Sequence, residues 1–220
     1  TGFFETIAET VYTRMTWFID MDKSSGGGTG GMTRDTLAGF AARYLNAIRV
    51  GIDPIQSWGS HATDVPVPNA CTRCDLRSEC HTSFGSHEGV GLYPFSETAL
   101  WNMAERTDPR LGQEFNPRIL QKDVLARVLA DHGLTVSEGA FPPAELLDEL
   151  GGGKRLSVLD QSAIRRQAPA AGDRLITAIE LYDGSGKTVN LEEGIRRSFN
   201  LPLLGEVDTA PSPDPLPPGP

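Results

Sequence analysis

The chain lacks several features that would define its class at once. It has no run of about 18 apolar residues, so no segment is predicted to span a membrane, and no charged-then-apolar leader precedes a small-residue cleavage site. Its 20 Lys and Arg oppose 29 Asp and Glu, giving a formal net charge of −9. That charge excludes a basic module that coats nucleic acid by electrostatics alone. We therefore expect a cytoplasmic protein with no membrane partner, in which any contact with nucleic acid depends on a local patch.

Glycine and proline are abundant, at 24 and 16 residues of 220, and they mark the joints of the chain. Residues 24–31 form a Gly-rich loop, which we expect to be flexible because glycine loses the most backbone entropy on folding. The chain begins without Met and ends in a Pro-rich stretch, 206–220, that is typical of an extended linker. We expect it to be a piece of a longer polypeptide.

Between the joints, apolar residues recur at three- and four-residue steps, the period of amphipathic helices. Thr33, Ser96 and Asn116 are suited to cap three of these helices, and Pro117 fits the first position of the third because proline has no N–H to leave unpaired. The predicted helices are 3–22, 33–49, 96–107, 116–131, 144–150, 190–199 and, with a strand as the alternative, 169–182. Residues 50–70 show no such period and are predicted to form an irregular connector. The sequence therefore predicts a mostly α protein, a helical bundle or lid-like region with a small metal-stapled loop insertion.

All three cysteines of the chain fall within ten residues, and a histidine follows the last one directly. Cys71, Cys74, Cys80 and His81 have the spacing Cys-x2-Cys-x5-Cys-His. A Cys-x2-Cys turn directs two thiolates at one cation, and a further Cys and a His complete a tetrahedral zinc shell. Because such a shell leaves no coordination position open, the predicted zinc is structural, and it stabilises a stretch too irregular to form a core of its own. His87 is the alternative to His81 as the fourth ligand.

Other uses of clustered cysteines compete with zinc. A disulfide would leave an odd thiol and would need an oxidising compartment. A redox Cys-x2-Cys normally opens a helix after a strand, and no strand is predicted before these cysteines. An iron–sulfur cluster would need a fourth cysteine, which this chain does not contain. The cysteines could also be ordinary buried residues. Of these readings we favour zinc.

The order of motifs around the cysteines resembles a region of large prokaryotic ATP-binding proteins. The string from Cys71 to Gly85 is followed by Gly-Leu-Tyr-Pro-Phe at 91–95 and by Phe-Asn-Pro-Arg at 115–118, which opens a helix, and later by the stretch 190–204. Across about residues 33–205, the chain resembles the part that follows the nucleotide-binding core in AAA+ or STAND-type proteins encoded near anti-phage defence systems.

The resemblance implies a helical lid and accessory region, so no residue of this chain is predicted to be catalytic. The phosphate-binding Gly-Lys-Ser/Thr loop and the acidic metal-holding strand would lie before Thr1, and ATP would bind only in the parent protein. Arg118 matches the helix-start arginine that reaches the terminal phosphates of the nucleotide in AAA+ lids. The alternative for Arg118 is an ion pair with a nearby carboxylate such as Glu114.

The expected organisation follows from these observations. It comprises a helical segment 1–67 with its flexible loop, a zinc knuckle 68–95, lid-like helices 96–135, a C-terminal helical segment 136–205 and the linker. The expected function is that of a non-catalytic, zinc-stabilised accessory region of an ATP-driven defence protein. It would couple the nucleotide state to the remainder of a larger polypeptide and to a protein partner or nucleic acid. The alternatives are a self-standing zinc-containing module that binds protein or nucleic acid, and a fragment of an iron–sulfur nuclease.

Overall fold

Ten helices and one short hairpin make up the regular structure among the residues that the computed structural model describes. The residues it describes are 32–60, 65–111, 116–151, 153 and 155–205. The predicted helix 3–22, the loop 24–31 and the linker 206–220 lie outside the described residues. Within them, the predicted mostly α fold class is confirmed.

The helices follow one another with short connections. They are α1 (Arg34–Val50), α2 (Ile52–Ser60), α3 (Arg77–Phe84), α4 (Glu97–Thr107), α5, α6 (Gly133–Ser137), α7 (Leu146–Glu149), α8 (Val158–Gln167), α9 (Gly172–Tyr182) and α10 (Glu193–Ser198). Helix α5 begins as one α-helical turn at Pro117–Ile119 and continues with π-helical hydrogen bonding at Leu120–Asp131. A 3-10 turn at Ala70–Arg73 precedes α3. Strands β1 (Ser86–His87) and β2 (Val90–Gly91) then pair antiparallel, with Ser86 opposite Gly91.

Three helices begin at the caps that the sequence predicts. The side chains of Thr33, Ser96 and Asn116 each accept a hydrogen bond from a backbone N–H in the first turn of α1, α4 and α5, at 3.2, 3.1 and 3.1 Å. These bonds satisfy donors that have no partner within the helix. The capping residues therefore fix where the three helices start.

The sequence-based assignments at 50–70 and at Asn190 are wrong. The connector predicted at 50–70 contains helix α2, in which Pro54 occupies the first turn, where a proline is tolerated. The last helix does not begin at Asn190. Its cap is Glu192, whose side chain accepts a first-turn N–H at 3.1 Å. Asn190 instead binds the backbone of Leu204 through both its amide nitrogen and its amide oxygen.

One hydrophobic cluster runs through the described residues, and α4 lies at its centre. Helix α4 packs against α1, α5 and α9, and its Leu100 and Met103 are fully buried. Phe84 at the end of α3 packs edge-on against Phe199, which follows α10, with ring centroids 5.6 Å apart. The segment that carries the cysteines is therefore built into the common core.

Membrane insertion is not indicated by any helix that the structure describes, because none of these helices is both long and apolar enough to cross a bilayer.

Candidate metal centre

A short turn and a short helix bring the three cysteines into one region of the fold. Cys71 lies in the 3-10 turn, where its N–H donates to the Asn69 side chain at 2.8 Å, and the N–H of Cys74 donates to the Cys71 carbonyl at 3.4 Å. Cys80 and His81 lie on the helix that follows, α3. The turn and the helix thus bring the two halves of the Cys-x2-Cys-x5-Cys-His pattern close to the same hairpin.

Gly91 of β2 is the residue around which the donor atoms gather. A Cβ atom at Gly91 would lie 2.9 Å from Cys80 Sγ and 3.2 Å from His81 Nε2. The N–H of Gly91 donates to Cys71 Sγ at 3.3 Å. Two sulfurs and one imidazole nitrogen therefore face the same glycine, and the absence of a side chain there leaves them the space.

His81 presents a nitrogen that the described residues leave without a partner. Its Nε2 atom is buried and has no hydrogen-bond partner among them. A buried polar atom left unsatisfied costs about 1–3 kcal/mol, which a bound cation would offset. Burial, with the nearby charges of Arg77 and Arg49, lowers the pKa of His81. That shift favours the neutral imidazole, which is the form that ligates metals.

The environment of the cysteines shifts the pKa of Cys80. Burial raises the pKa of Cys80 most, and the neighbouring Cys71 and Cys74 raise it further, while a backbone hydrogen bond from Tyr93 and the charge of Arg49 oppose the rise. Thiolates that disfavour one another's ionisation are stabilised by a shared cation, because the cation reverses the sign of the local field.

The side chains are not arranged as a closed shell. In the parts of the chain that the structure describes, no group of three or more His, Cys, Asp or Glu side chains has the geometry to hold a metal ion as it stands. Cys74 is exposed, and with His81 and Arg77 it lines an open depression at the surface. A four-ligand shell requires Cys74 to turn inward from that surface. All three cysteines are free thiols.

The structure places the alternative ligand, His87, elsewhere. Its ring lies against α1, where a Cβ at Gly39 would be 2.9 Å from His87 Cε1, and its Nε2 is 3.4 Å from an oxygen of Asp35. His81, in contrast, lies with Cys80 at Gly91.

Arg118 is exposed at the start of α5, where its N–H donates to the Asn116 side chain. Its alternative partner, Glu114, lies outside the described residues.

Two residues of α1 bind the cysteine segment, and sequence reasoning missed both. The Asn46 side chain donates to the Pro68 carbonyl at 2.7 Å and accepts the Ala70 N–H at 3.0 Å. Arg49 donates to the Gly91 carbonyl at 2.7 Å and to the Tyr93 carbonyl. Asn46 and Arg49 are three residues apart and share one face of the helix. The spacing of these two polar residues predicts a contact only when the segment that they bind is already known.

A second concave region lies between α4 and α9. Gly184 and Gly186, from a glycine-rich turn that imitates part of a phosphate-binding loop, line a cavity of about 330 Å³. Its most buried polar side chains bind one another: Arg106 Nη2 lies 2.8 Å from Glu180 Oε2, and the two side chains are 5% and 3% exposed. Lys187 of the same turn is exposed to solvent. The two buried charges that line the cavity therefore neutralise each other.

Comparison with known proteins gives no relative: no protein-family model, no curated protein and no solved structure matches the chain. The fold and the cysteine site define a mostly α-helical protein with a clustered Cys/His segment packed into its core.

Proposed function

We propose that this chain is a non-catalytic, zinc-stabilised accessory region of a larger cytoplasmic, ATP-driven protein of the anti-phage defence type. The zinc ion is held by Cys71, Cys74, Cys80 and His81. The region couples the nucleotide state of the parent protein to a protein partner or to nucleic acid.

The observation that carries the metal site is the arrangement around Gly91. Sulfurs of Cys71 and Cys80 and the unsatisfied Nε2 of His81 face this glycine from two different elements. Three thiolates and one neutral imidazole are a closed zinc shell that has structural value and no open position for hydrolysis. Zinc binding draws Cys74 in from the surface and completes the set.

The ATP-driven parent is supported by the motif order from Cys71 to Arg118 and by the stretch 190–204. Arg118 is the residue that would reach the nucleotide, since it is exposed at the first turn of a helix. The chain by itself lacks a Gly-Lys-Ser/Thr phosphate loop that opens a long helix. The isolated chain is therefore expected not to hydrolyse ATP. Turnover that stays with the chain through successive purification steps would contradict this part of the proposal.

A self-standing interaction module is the second candidate, and one observation favours it. Large apolar side chains are exposed at the end of α1, at the start of α2 and in the stretch that leads to the first cysteine. These are Ile48, Ile52, Val65 and Val67. These four residues lie in consecutive parts of the chain, and exposed apolar side chains that form one patch are typical of a protein-binding site.

The metal site is tested with Cys74→Ser. This change removes one ligand from the surface of the site without disturbing the buried core. We expect loss of zinc by elemental analysis and faster amide exchange in residues 65–95, while residues 116–131 stay protected. Ser78→Ala is the matched control, because Ser78 lines the same depression but offers no ligand in the proposed shell. Unchanged zinc content and thermal stability in Cys74→Ser would contradict the site.

A further inference from the structure

The side chain of Arg49 extends from α1 and binds two backbone carbonyls in the stretch 91–93, which faces the cysteines. Its Nη1 donates to the Gly91 carbonyl at 2.7 Å, and its Nη2 donates to the Tyr93 carbonyl. The same Nη1 lies 3.9 Å from Cys71 Sγ. One guanidinium therefore contacts two carbonyls and lies beside one sulfur.

The two residues that Arg49 holds are those whose backbones bind the sulfurs. The Gly91 N–H donates to Cys71 Sγ at 3.3 Å, and the Tyr93 backbone hydrogen-bonds Cys80. The N–H and the carbonyl of one residue belong to neighbouring peptide groups, so binding the two carbonyls holds the Gly91 and Tyr93 backbones in place and limits where their N–H groups can move. The planar fork of Arg49 suits this role, since it can bind two acceptors at once in a fixed geometry.

The charge of Arg49 also matches the proposed shell. Three thiolates and a neutral imidazole on one Zn²⁺ carry a net charge of −1. Arg77 lines the open depression at the surface, whereas the guanidinium of Arg49 lies 3.9 Å from the sulfur of Cys71.

We infer that Arg49 is the positioning residue of the zinc site: it holds the backbones of Gly91 and Tyr93 beside the ligand sulfurs and compensates the negative charge of the loaded site. This inference rests on the proposed function. Residues that orient metal ligands from outside the coordination shell typically change metal affinity by about 10–100-fold when they are replaced.

The experiment compares zinc release from the full chain to a chromogenic chelator in Arg49→Met, Arg49→Lys and Arg43→Met. Arg43 is the matched control, because it is also an exposed arginine of α1 and also reaches the hairpin, at 3.8 Å from Glu88, but it contacts neither Gly91 nor Tyr93. We expect zinc release about tenfold faster or more in Arg49→Met, a smaller acceleration in Arg49→Lys, and the wild-type rate in Arg43→Met.

A second readout separates positioning from general docking of the segment. In the Co²⁺-loaded protein, the sulfur-to-cobalt charge-transfer bands report the ligand geometry. We expect them to shift in Arg49→Met and to stay unchanged in Asn46→Ala, which removes other hydrogen bonds between α1 and the segment.

The outcomes are distinct. Equal release rates in the Arg49 and Arg43 variants overturn the inference. A wild-type rate in Arg49→Lys together with fast release in Arg49→Met overturns the positioning role and leaves only a charge effect. A wild-type chain that binds neither Zn²⁺ nor Co²⁺ overturns the proposed function itself.

Discussion

Ser83 and Gly194 pack so closely that a side chain at Gly194 would overlap Ser83. A Cβ built on Gly194 would lie 1.7 Å from Ser83 Oγ and 2.6 Å from Ser83 Cβ. Ser83 belongs to α3, the helix that carries Cys80 and His81, and Gly194 belongs to α10. This contact therefore sets how closely the metal-site helix approaches the C-terminal part of the fold.

Replacing Gly194 with alanine is expected to destabilise the protein by about 1–3 kcal/mol, the usual cost of forcing extra volume into a close contact. The effect opposes helix propensity, which favours alanine over glycine by about 1 kcal/mol in a helix. Chemical denaturation measures the change in the free energy of unfolding. Gly133→Ala at the start of α6 is the control, because no atom lies within 4 Å of a Cβ there. A Gly194→Ala protein as stable as Gly133→Ala would show that α3 and α10 are not held at this distance.

The buried pair of Arg106 and Glu180 joins α4 to α9. Glu180 also accepts the Leu156 N–H at 2.9 Å, so its carboxylate is tied on both oxygens. Glu180→Gln is expected to destabilise the protein by about 3 kcal/mol or more, because it removes the negative charge that faces a buried guanidinium. Urea denaturation measures this. The double variant Arg106→Met with Glu180→Leu should recover much of the loss, since it removes both charges together. A double variant less stable than Glu180→Gln would contradict this explanation.

The pH dependence of stability has an identifiable contributor in Glu149. A hydrogen bond from His132 at 2.8 Å, aided by Arg127, lowers the pKa of this carboxyl. A folded-state pKa below that of the unfolded chain adds stability above the unfolded value, and this stability is lost as the pH falls through the folded value. Glu149→Gln should therefore cost no more than about 1 kcal/mol at neutral pH, because solvent screens the pair.

The check is urea denaturation of both proteins across the acidic range. The difference between wild type and Glu149→Gln should shrink as the pH falls below the usual range of a glutamate carboxyl. A difference that stays constant with pH would mean that the carboxyl charge contributes nothing.

The helices that sequence predicts well are those whose signals are local. Thr33, Ser96 and Asn116 bind first-turn N–H groups of their own helices, so their role can be seen in a few consecutive residues. The clustering of the cysteines is local in the same sense. The local caps explain why the fold class could be predicted, and the cysteine spacing explains why this segment was chosen as the candidate site.

The features that could not be predicted from the sequence depend on contacts between residues that are far apart in the chain. Helix α3, which carries two of the proposed ligands, was not predicted, because its apolar periodicity is weak and its one buried side chain is Phe84. Asn190 has the chemistry of a cap, but tertiary structure uses it to bind Leu204, fourteen residues away. Arg49 and Gly91 are 42 residues apart, and only the folded chain brings them together.

X-ray absorption at the zinc edge of the freshly purified wild-type chain tests the proposed centre most directly, because it identifies the metal and its donor atoms at once. We predict one zinc per chain, with three sulfur ligands at about 2.3 Å and one nitrogen at about 2.0–2.1 Å. A chain that contains no zinc, or a zinc ion with only oxygen and nitrogen neighbours, would contradict a structural site made by Cys71, Cys74, Cys80 and His81.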